Sequence, residues 1–429
     1  MTTPVATTRD DQRQNPHLTF RHNLHQGRHG WLRLTPAYSV KLVSEILDGG
    51  KYAASVLDPF SGTGTTALCA AYLGLRGTGL EINPFLVWFS SAKSKQYSPS
   101  TIQQARELGR SISFALSSPR SPRCDPPPIH NISRWWNERE LDFLCRLKAC
   151  ICDAAPDGSE ERDLLLVAFC RTVITLSNAA FNHQSMSFKN KDTSPRLFDV
   201  QCDHSDVFRK ELTFVLDGAA DNPPTTPHIL TGDARQSSRY LRDKYDVLIT
   251  SPPYPNNYDY ADATRLEMSF LREIEGWGCL QDKVRRHLIR SCSQHVPEKA
   301  VNLQAVLSYP ELEPIRAEIT EVCEKLSDIR QTKGGRKTYH LMVACYFADL
   351  AKVWHALRRV CQSPSKVCFV IGDSAPYGVY VPVVPWLGTL ATTAGFKSYT
   401  FEKTRDRNIK WKNRKHRVPL QEGRLWVQG

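Results

Sequence analysis

The chain has 429 residues, 41% of them hydrophobic and 23% charged, which excludes a disordered chain and leaves room for one large domain or two ordinary ones. A formal net charge of +12 and a pI near 9.1 favour a polyanionic partner, nucleic acid first, although charge alone is equally compatible with none. Thirteen scattered cysteines with no C-x-x-C spacing argue against a zinc site or a disulfide framework, no metal is expected, and a polar N-terminus with no run near the roughly 18 apolar residues of a membrane span points to a reducing, cytoplasmic setting.

In chain order, residues 1–20 read as a flexible tail. TPAYSVKLVSEILDGG is a helix pattern, with Pro36 near its start, Val40, Val43, Ile46 and Leu47 at helical spacing, and Gly49-Gly50 ending it. AASVLDPF is a short apolar strand. A glycine turn, a small-residue helix (TTALCAAYLGL) and a second strand (RGTGLEIN) follow, which is the opening of a doubly wound α/β domain. From 98 to 228 proline clusters bracket helical patterns, so this stretch reads as a mostly helical insertion and a candidate DNA-recognition region, with Trp135 and Trp136 expected in its core. Strands return at HILTGDA and YDVLITSPPY. A polar, basic, helix-rich stretch covers about 261–340, and LMVACYFADLAKVWHALRRV, SKVCFVIGDS and VPVVPWLGTLATTAGF resume the alternation. The expected organisation is one catalytic α/β domain in two halves, 21–97 and 229–429, with two insertions.

The first turn, Asp58-Pro59-Phe60-Ser61-Gly62-Thr63-Gly64-Thr65-Thr66, lies between a strand and a helix, where glycine lets the backbone bend and approach a ligand. Glu81 ends the next strand, where a carboxylate can accept from both ribose hydroxyls. No Gly-Lys-Ser/Thr follows, so a phosphate-binding P-loop is excluded. A dinucleotide turn would have Ala67 as a poorer third small residue, and Asp58 would repel a pyrophosphate. A cationic nucleoside suits these residues better, and S-adenosylmethionine carries a sulfonium and an ammonium. A tight turn without a ligand is the competing reading.

The second turn, Ser251-Pro252-Pro253-Tyr254, follows the strand YDVLI, at the strand end where α/β sheets bind ligands. Two prolines stiffen the backbone and pre-aim its carbonyls. An exocyclic amine is a poor nucleophile because its lone pair is conjugated with the ring. Acceptors on its two hydrogens, the Ser251 hydroxyl and the Pro252 carbonyl, can free that lone pair, and Tyr254 can stack on a base taken out of the duplex.

DPFSGTGTT followed by TSPPY resembles the amino-methyltransferases of DNA, specifically N4-cytosine methyltransferases of restriction-modification systems. The resemblance covers roughly 21–97 and 229–429, broken at 261–340, and does not reach 98–228. It implies a Rossmann-like methyltransferase sheet and S-adenosyl-L-methionine as cofactor. It implies cofactor contacts from Asp58, Phe60, Ser61, Gly62, Gly64, Thr65 and Thr66 in the turn, from Glu81, Ile82 and Asn83 after the second strand, from Pro36, Tyr38 and Ser39 in the preceding segment, and from Asp233 and Ala234 in TGDAR, where Asp233 would accept from the adenine amino group. Ser251, Pro252, Pro253 and Tyr254 would hold the target amine. Ser251 favours cytosine, since N6-adenine enzymes more often have Asp or Asn there; adenine N6, an RNA amine, and a non-catalytic DNA-binding subunit stay open as alternatives.

Double-stranded DNA is the expected partner, with a cognate restriction endonuclease a further one. KTRDRNIKWKNRKHR, 403–417, holds eight Lys or Arg against one acid, with Trp411 and His416 interleaved. Its Arg405, Arg407, Lys410, Lys412, Arg414, Lys415 and Arg417 are candidates for phosphate, against the alternative of a solvated face. Lys333, Arg336 and Lys337 form a glycine-flanked basic clamp. In the insertion, Asn178, Asn182, His183, Gln184 and Lys189 can read bases, though His183 and Gln184 could equally cap a helix. Asp373, ending CFVIGDS, either lines the base pocket or caps a turn.

Overall fold

The computed structural model describes residues 19–48, 54–180, 186–189, 203–407 and 418–429. The expectations that fall on Asn182, His183, Gln184, Lys410, Trp411, Lys412, Arg414, Lys415, His416 and Arg417 lie outside the described residues. None of the described helices is long and apolar enough to cross a membrane.

A single turn, α1 (Phe20–Asn23), and α2 (Val40–Asp48) lead into β1 (Ser55–Asp58), α3 (Thr65–Tyr72), β2 (Arg76–Glu81) and α4 (Pro84–Ser94). The next stretch carries α5 (Pro99–Leu116), α6 (Glu138–Ala154), α7 (Glu160–Thr175), a small hairpin of β3 (Ala179–Ala180) and β4 (Ser187–Phe188), and α8 (His204–Ala220). β5 (His228–Thr231), α9 (Ser237–Tyr240) and β6 (Tyr245–Thr250) restore the alternation. α10 (Arg265–Phe270), α11 (Trp277–Lys283), α12 (Leu303–Leu307) and α13 (Arg316–Gln331) precede α14 (Tyr339–Val360), β7 (Cys361–Gly372), α15 (Val383–Thr393), β8 (Ser398–Arg407) and β9 (Leu420–Gln428).

Seven strands form one sheet in the order β5-β2-β1-β6-β7-β9-β8. The first five are mutually parallel, and β9 runs antiparallel between β7 and β8. This is the Rossmann-like methyltransferase sheet that the motifs implied. Chain reversal beside β1 places the ends of β1, β2 and β6 around one crevice, which is where such sheets bind ligands. The β1 segment SVLD is buried at every position, as a central parallel strand covered on both faces must be.

Three apolar clusters cover the sheet and the helical stretch. α14 is buried on nearly all sides between the sheet, α13 and α15. α2 and α3 cover the other face of β1, β6 and β7. The helices of 98–228 share a continuous core with α4 and Trp31, so they are packed onto the seven-stranded sheet's own helices. Trp135 and Trp136 are buried in that core, as expected. The 261–340 stretch divides between two cores: Leu266, Met268, Phe270 and Leu280 pack with the helical stretch, and Ile289, Leu312, Ile319 and Leu326 pack against α14.

Two local expectations change. The helix expected from about Pro36 begins at Val40, because Asn23 holds the chain before it in another conformation, accepting from the Val40 N–H at 2.8 Å and donating to the Tyr38 carbonyl at 2.9 Å. Residues 403–407, the start of the basic run, are the end of strand β8, a mostly exposed edge strand without the alternation that would mark it in sequence.

Candidate functional site

Gly62 and Gly64 have φ of 52° and 74°, a left-handed conformation that favours glycine. A Cβ on Gly64 would also stand 2.9 Å from the Ser90 Cβ, so glycine there lets α3 and α4 approach. The Glu81 carboxylate braces this turn. One oxygen accepts from the Gly62 N–H at 2.8 Å, and the other accepts from the Ile82 and Asn83 N–H groups, each at 2.9 Å. Burial raises the Glu81 carboxyl above its usual range, and the three backbone donors oppose that rise.

Asp58 is fully buried at the end of β1. It accepts from Thr250 Oγ1 at 2.6 Å, from the Tyr38 hydroxyl at 2.8 Å and from the Phe60 N–H at 3.0 Å. The Tyr38 hydroxyl also meets Thr66 Oγ1, which donates to the Ile249 carbonyl at 3.2 Å. One carboxylate therefore ties the segment before α2, the glycine turn and the end of β6 together. Burial raises the Asp58 carboxyl, against the pull of its donors.

Around these groups lies a cleft open to solvent. Eleven of the sequence-predicted cofactor residues line it: Pro36, Tyr38, Phe60, Ser61, Gly62, Thr65, Glu81, Ile82, Asn83, Asp233 and Ala234. Asp58, Gly64, Thr66 and Ser39 stand behind the wall. Asp233 is engaged by Arg235, whose Nη2 donates to Oδ2 and whose Nε is shared between Oδ1 and Oδ2. Neither Lys nor Arg is among the lining residues, and of its two carboxylates Asp233 is paired with Arg235 whereas Glu81 has no basic side chain on it among the described residues. Such a wall is complementary to a cationic nucleoside and hostile to a polyphosphate.

Ser251 and Pro253 reach the same cleft, so the proline turn and the glycine turn open into one space. Ser251 Oγ donates its proton to the Val370 carbonyl at 3.1 Å, with the Tyr254 hydroxyl in hydrogen-bonding range beside it. Among the described residues no donor takes the Pro252 carbonyl. Tyr254 is turned inward beneath the Arg407 guanidinium, 5.2 Å from ring centroid to guanidinium carbon. Burial pushes its hydroxyl well above the ordinary tyrosine range.

Sequence reasoning missed Tyr260 and residues 287–289, which also line the cleft. The Tyr260 hydroxyl accepts from the Tyr254 N–H at 3.1 Å, so it supports the proline turn from within the cleft. The aromatic run YPNNYDY beside the turn was the available signal. Beyond it, Asp259 accepts from Arg285 at 2.6 and 2.8 Å and from His295 at 3.3 Å. Burial alone would raise the Asp259 carboxyl, yet these two partners hold it below the usual range.

The basic candidates fall in different settings. Lys333, Arg336 and Lys337 are exposed in the loop between α13 and α14. The Lys337 N–H donates to the Tyr377 hydroxyl at 2.9 Å, which places the loop beside the end of β7. Arg405 and Arg407 both face Glu422, at 2.6 and 3.6 Å, and Arg407 also donates to the Asp373 carbonyl at 3.1 Å. Asp373 itself is buried and accepts from the Tyr380 hydroxyl at 3.1 Å. In the hairpin, Lys189 Nζ donates to the Ser177 carbonyl and Asn178 Nδ2 to the Arg134 carbonyl, so both side chains hold the hairpin's base.

No family model matches the chain, and no solved structure does. Curated proteins do match. The chain is 23% identical to type II methyltransferase M.BsoBI of Geobacillus stearothermophilus over 94% of its own length and 86% of that protein. It is 22% identical to type II methyltransferase M.AvaI of Anabaena variabilis over 88% and 81%. With type II methyltransferase M.MvaI of Kocuria varians it shares 25% identity over half of each chain. These matches uphold the resemblance to the methyltransferases of restriction-modification systems drawn from the glycine and proline turns, and their names do not say which base is methylated. Residues 98–228, which that resemblance did not reach, fall largely inside the span matched to M.BsoBI.

Proposed function

We propose that this protein is an S-adenosylmethionine-dependent DNA methyltransferase that methylates the exocyclic N4 amine of cytosine in double-stranded DNA, as part of a restriction-modification system. The observation that carries the reading is the shared cleft, in which the acidic, lysine- and arginine-free wall around Glu81 meets Ser251 and Pro253. The near full-length similarity to type II methyltransferases supports it.

The residues fit the cofactor. Glu81 is available to the ribose hydroxyls, the Gly62 turn to the methionine end, and Ile82, Ala234 and Leu86 to the faces of an adenine ring. When bound, S-adenosylmethionine supplies a methyl group on a sulfonium, with a neutral thioether as its leaving group. The chain's own work is then positioning and electrostatics. The target cytosine leaves the duplex and enters beside Tyr254. Ser251 Oγ and the Pro252 carbonyl accept the two amine hydrogens, which draws the nitrogen lone pair out of conjugation and aims it at the methyl. The exposed Lys333, Arg336 and Lys337 would hold phosphates at the rim, and the helices of 98–228 with their hairpin would carry sequence recognition. Ser251 is the residue that favours cytosine N4 over adenine N6.

The test is transfer of labelled methyl to DNA, followed by mass analysis of the nucleosides. Wild type should yield N4-methylcytosine. Ser251→Ala and Tyr254→Ala should each reduce transfer at least about 100-fold while cofactor binding stays within twofold. Transfer by both variants at the wild-type rate would refute the assignment, and N6-methyladenine in the product would move the target to adenine.

A further inference from the structure

Residues 287–289 reach the cleft from far along the chain, out of the stretch between the proline turn and α14, and nothing in the glycine or proline motifs assigns them a role. The Arg235 guanidinium donates to the His287 carbonyl, so they stand beside the loop after β5 that carries Asp233 and Ala234, and they line the cleft together with Ile82 and Asn83. Glu81 fixes where a ribose would sit, at the end of β2. The next strand outward is β5, and the loop after it carries Asp233 and Ala234. A nucleoside held by its ribose at Glu81 therefore presents its base between Ile82 and this segment. Leu288 is half-buried and Ile289 buried, and both are apolar, as the face of a heteroaromatic ring requires.

The segment is held by charge, with little regular structure of its own. Asp349, in the middle of α14, is 1% exposed. Its carboxylate accepts from Arg290 Nη2 at 2.7 Å, from Arg290 Nε at 2.9 Å and from the Arg290 N–H at 3.2 Å, and Arg235 Nη1 lies 3.4 Å away. Arg235 in turn donates to the His287 carbonyl at 2.7 Å and grips Asp233 at 2.7 and 3.0 Å. One buried carboxylate thus fixes both ends of the segment, and through Arg235 it also fixes the neighbouring loop that carries Asp233. Fork-shaped guanidinium contacts of this kind set position as well as supply energy.

We infer that residues 287–289 form the wall of the adenine subsite and that Asp349, acting through Arg235 and Arg290, is the positioning residue that sets its distance from Ile82. The inference rests on the reading of the cleft as an S-adenosylmethionine site. It assigns the subsite to the purine alone, so a ligand lacking the methionine part should report it as fully as the whole cofactor does.

Titration calorimetry with S-adenosylmethionine and, separately, with adenosine tests this on the full chain, alongside steady-state transfer to DNA. Asp349→Asn keeps the shape and removes the charge that holds both arginines; Leu288→Ala shortens the wall. Each should raise the Kd of both ligands by about tenfold, with kcat at saturating cofactor and KM for DNA within about twofold of wild type. A merely structural Asp349 would lower kcat and thermal stability together and leave the ligand constants alone. If Asp349→Asn fails to fold, Leu288→Ala decides. Variants that bind both ligands like wild type overturn the inference while leaving the cofactor reading intact. Wild type that binds neither ligand overturns the cofactor reading and the inference with it.

Discussion

The two halves of the cleft are built differently. On the side of the glycine turn the Glu81 carboxylate is held by three backbone N–H donors and the turn by two glycines in left-handed conformation, while Asp58 behind them is held by the Thr250 and Tyr38 hydroxyls and the Phe60 N–H. This half is assembled before anything binds. On the target side the groups are engaged with one another. Ser251 donates to Val370, Tyr254 is covered by Arg407, and Arg407 is tied to Glu422 and to the Asp373 carbonyl. A preorganised cofactor half and a target half closed on itself suggest that affinity for the cofactor is set in the fold, whereas the base must exchange existing contacts for its own.

Variants on the two sides should therefore separate. The largest effect is expected from Glu81→Ala, which removes a charged acceptor from the ribose and leaves the Gly62, Ile82 and Asn83 N–H groups without their partner. Two charge-assisted hydrogen bonds at about 1.5–3 kcal/mol each correspond to at least about a 100-fold rise in cofactor Kd. DNA affinity, measured by fluorescence anisotropy without cofactor, should not move. Arg407→Ala acts on the other half. It uncovers Tyr254 and frees the Asp373 carbonyl, while Glu422 keeps Arg405. A fall of about tenfold in kcat/KM for DNA with cofactor Kd unchanged is expected, the loss of roughly one cation–π contact and one hydrogen bond. If Arg407→Ala weakened the cofactor as strongly as it weakened turnover, the two halves would be one mechanical unit and the distinction would fall.

The same contrast governs what could be read without coordinates. The glycine turn, Glu81 and the proline turn are local: each follows a strand within a few residues, so its position in the sheet follows from the alternation of elements. The doubly wound class of the central sheet was legible for that reason. The wall at 287–289 was not, because its place depends on Asp349, about sixty residues away, and on Arg235 from another loop. Nor does an apolar residue in 261–340 announce which of two cores it will join; Phe270 and Leu312 look alike in sequence and pack on different clusters. The strand at 398–407 was hidden because it lies mostly exposed at the sheet edge without alternation, and the same arginines that suggested a free basic face pair with Glu422 on the neighbouring strand.

The smallest effect expected is in pH, and it too should fall on one side. Glu81 and Asp58 have carboxyls raised above their usual values by burial, so the free fold binds protons there more tightly than the unfolded chain does. Their contribution to the stability of the unliganded protein is therefore present at acid pH and is lost as pH rises through the raised values. Cofactor binding has the opposite sign, because a sulfonium and an ammonium favour the ionised carboxylates and compete with the proton. Cofactor Kd should rise a few-fold as pH falls from neutrality toward the carboxylate range, while the thermal midpoint of the free protein shows no matching loss from these two groups. On the target side burial pushes Tyr260 up to about 12 and Tyr254 higher still, so neither phenol titrates near neutrality. Calorimetric Kd and single-turnover rates measured across pH would then show the acid limb in binding and no alkaline limb from the tyrosines in the chemical step. An alkaline limb in single-turnover rates that disappears in Tyr260→Phe would show that the target half is open to solvent, against the closed arrangement of Arg407 over Tyr254.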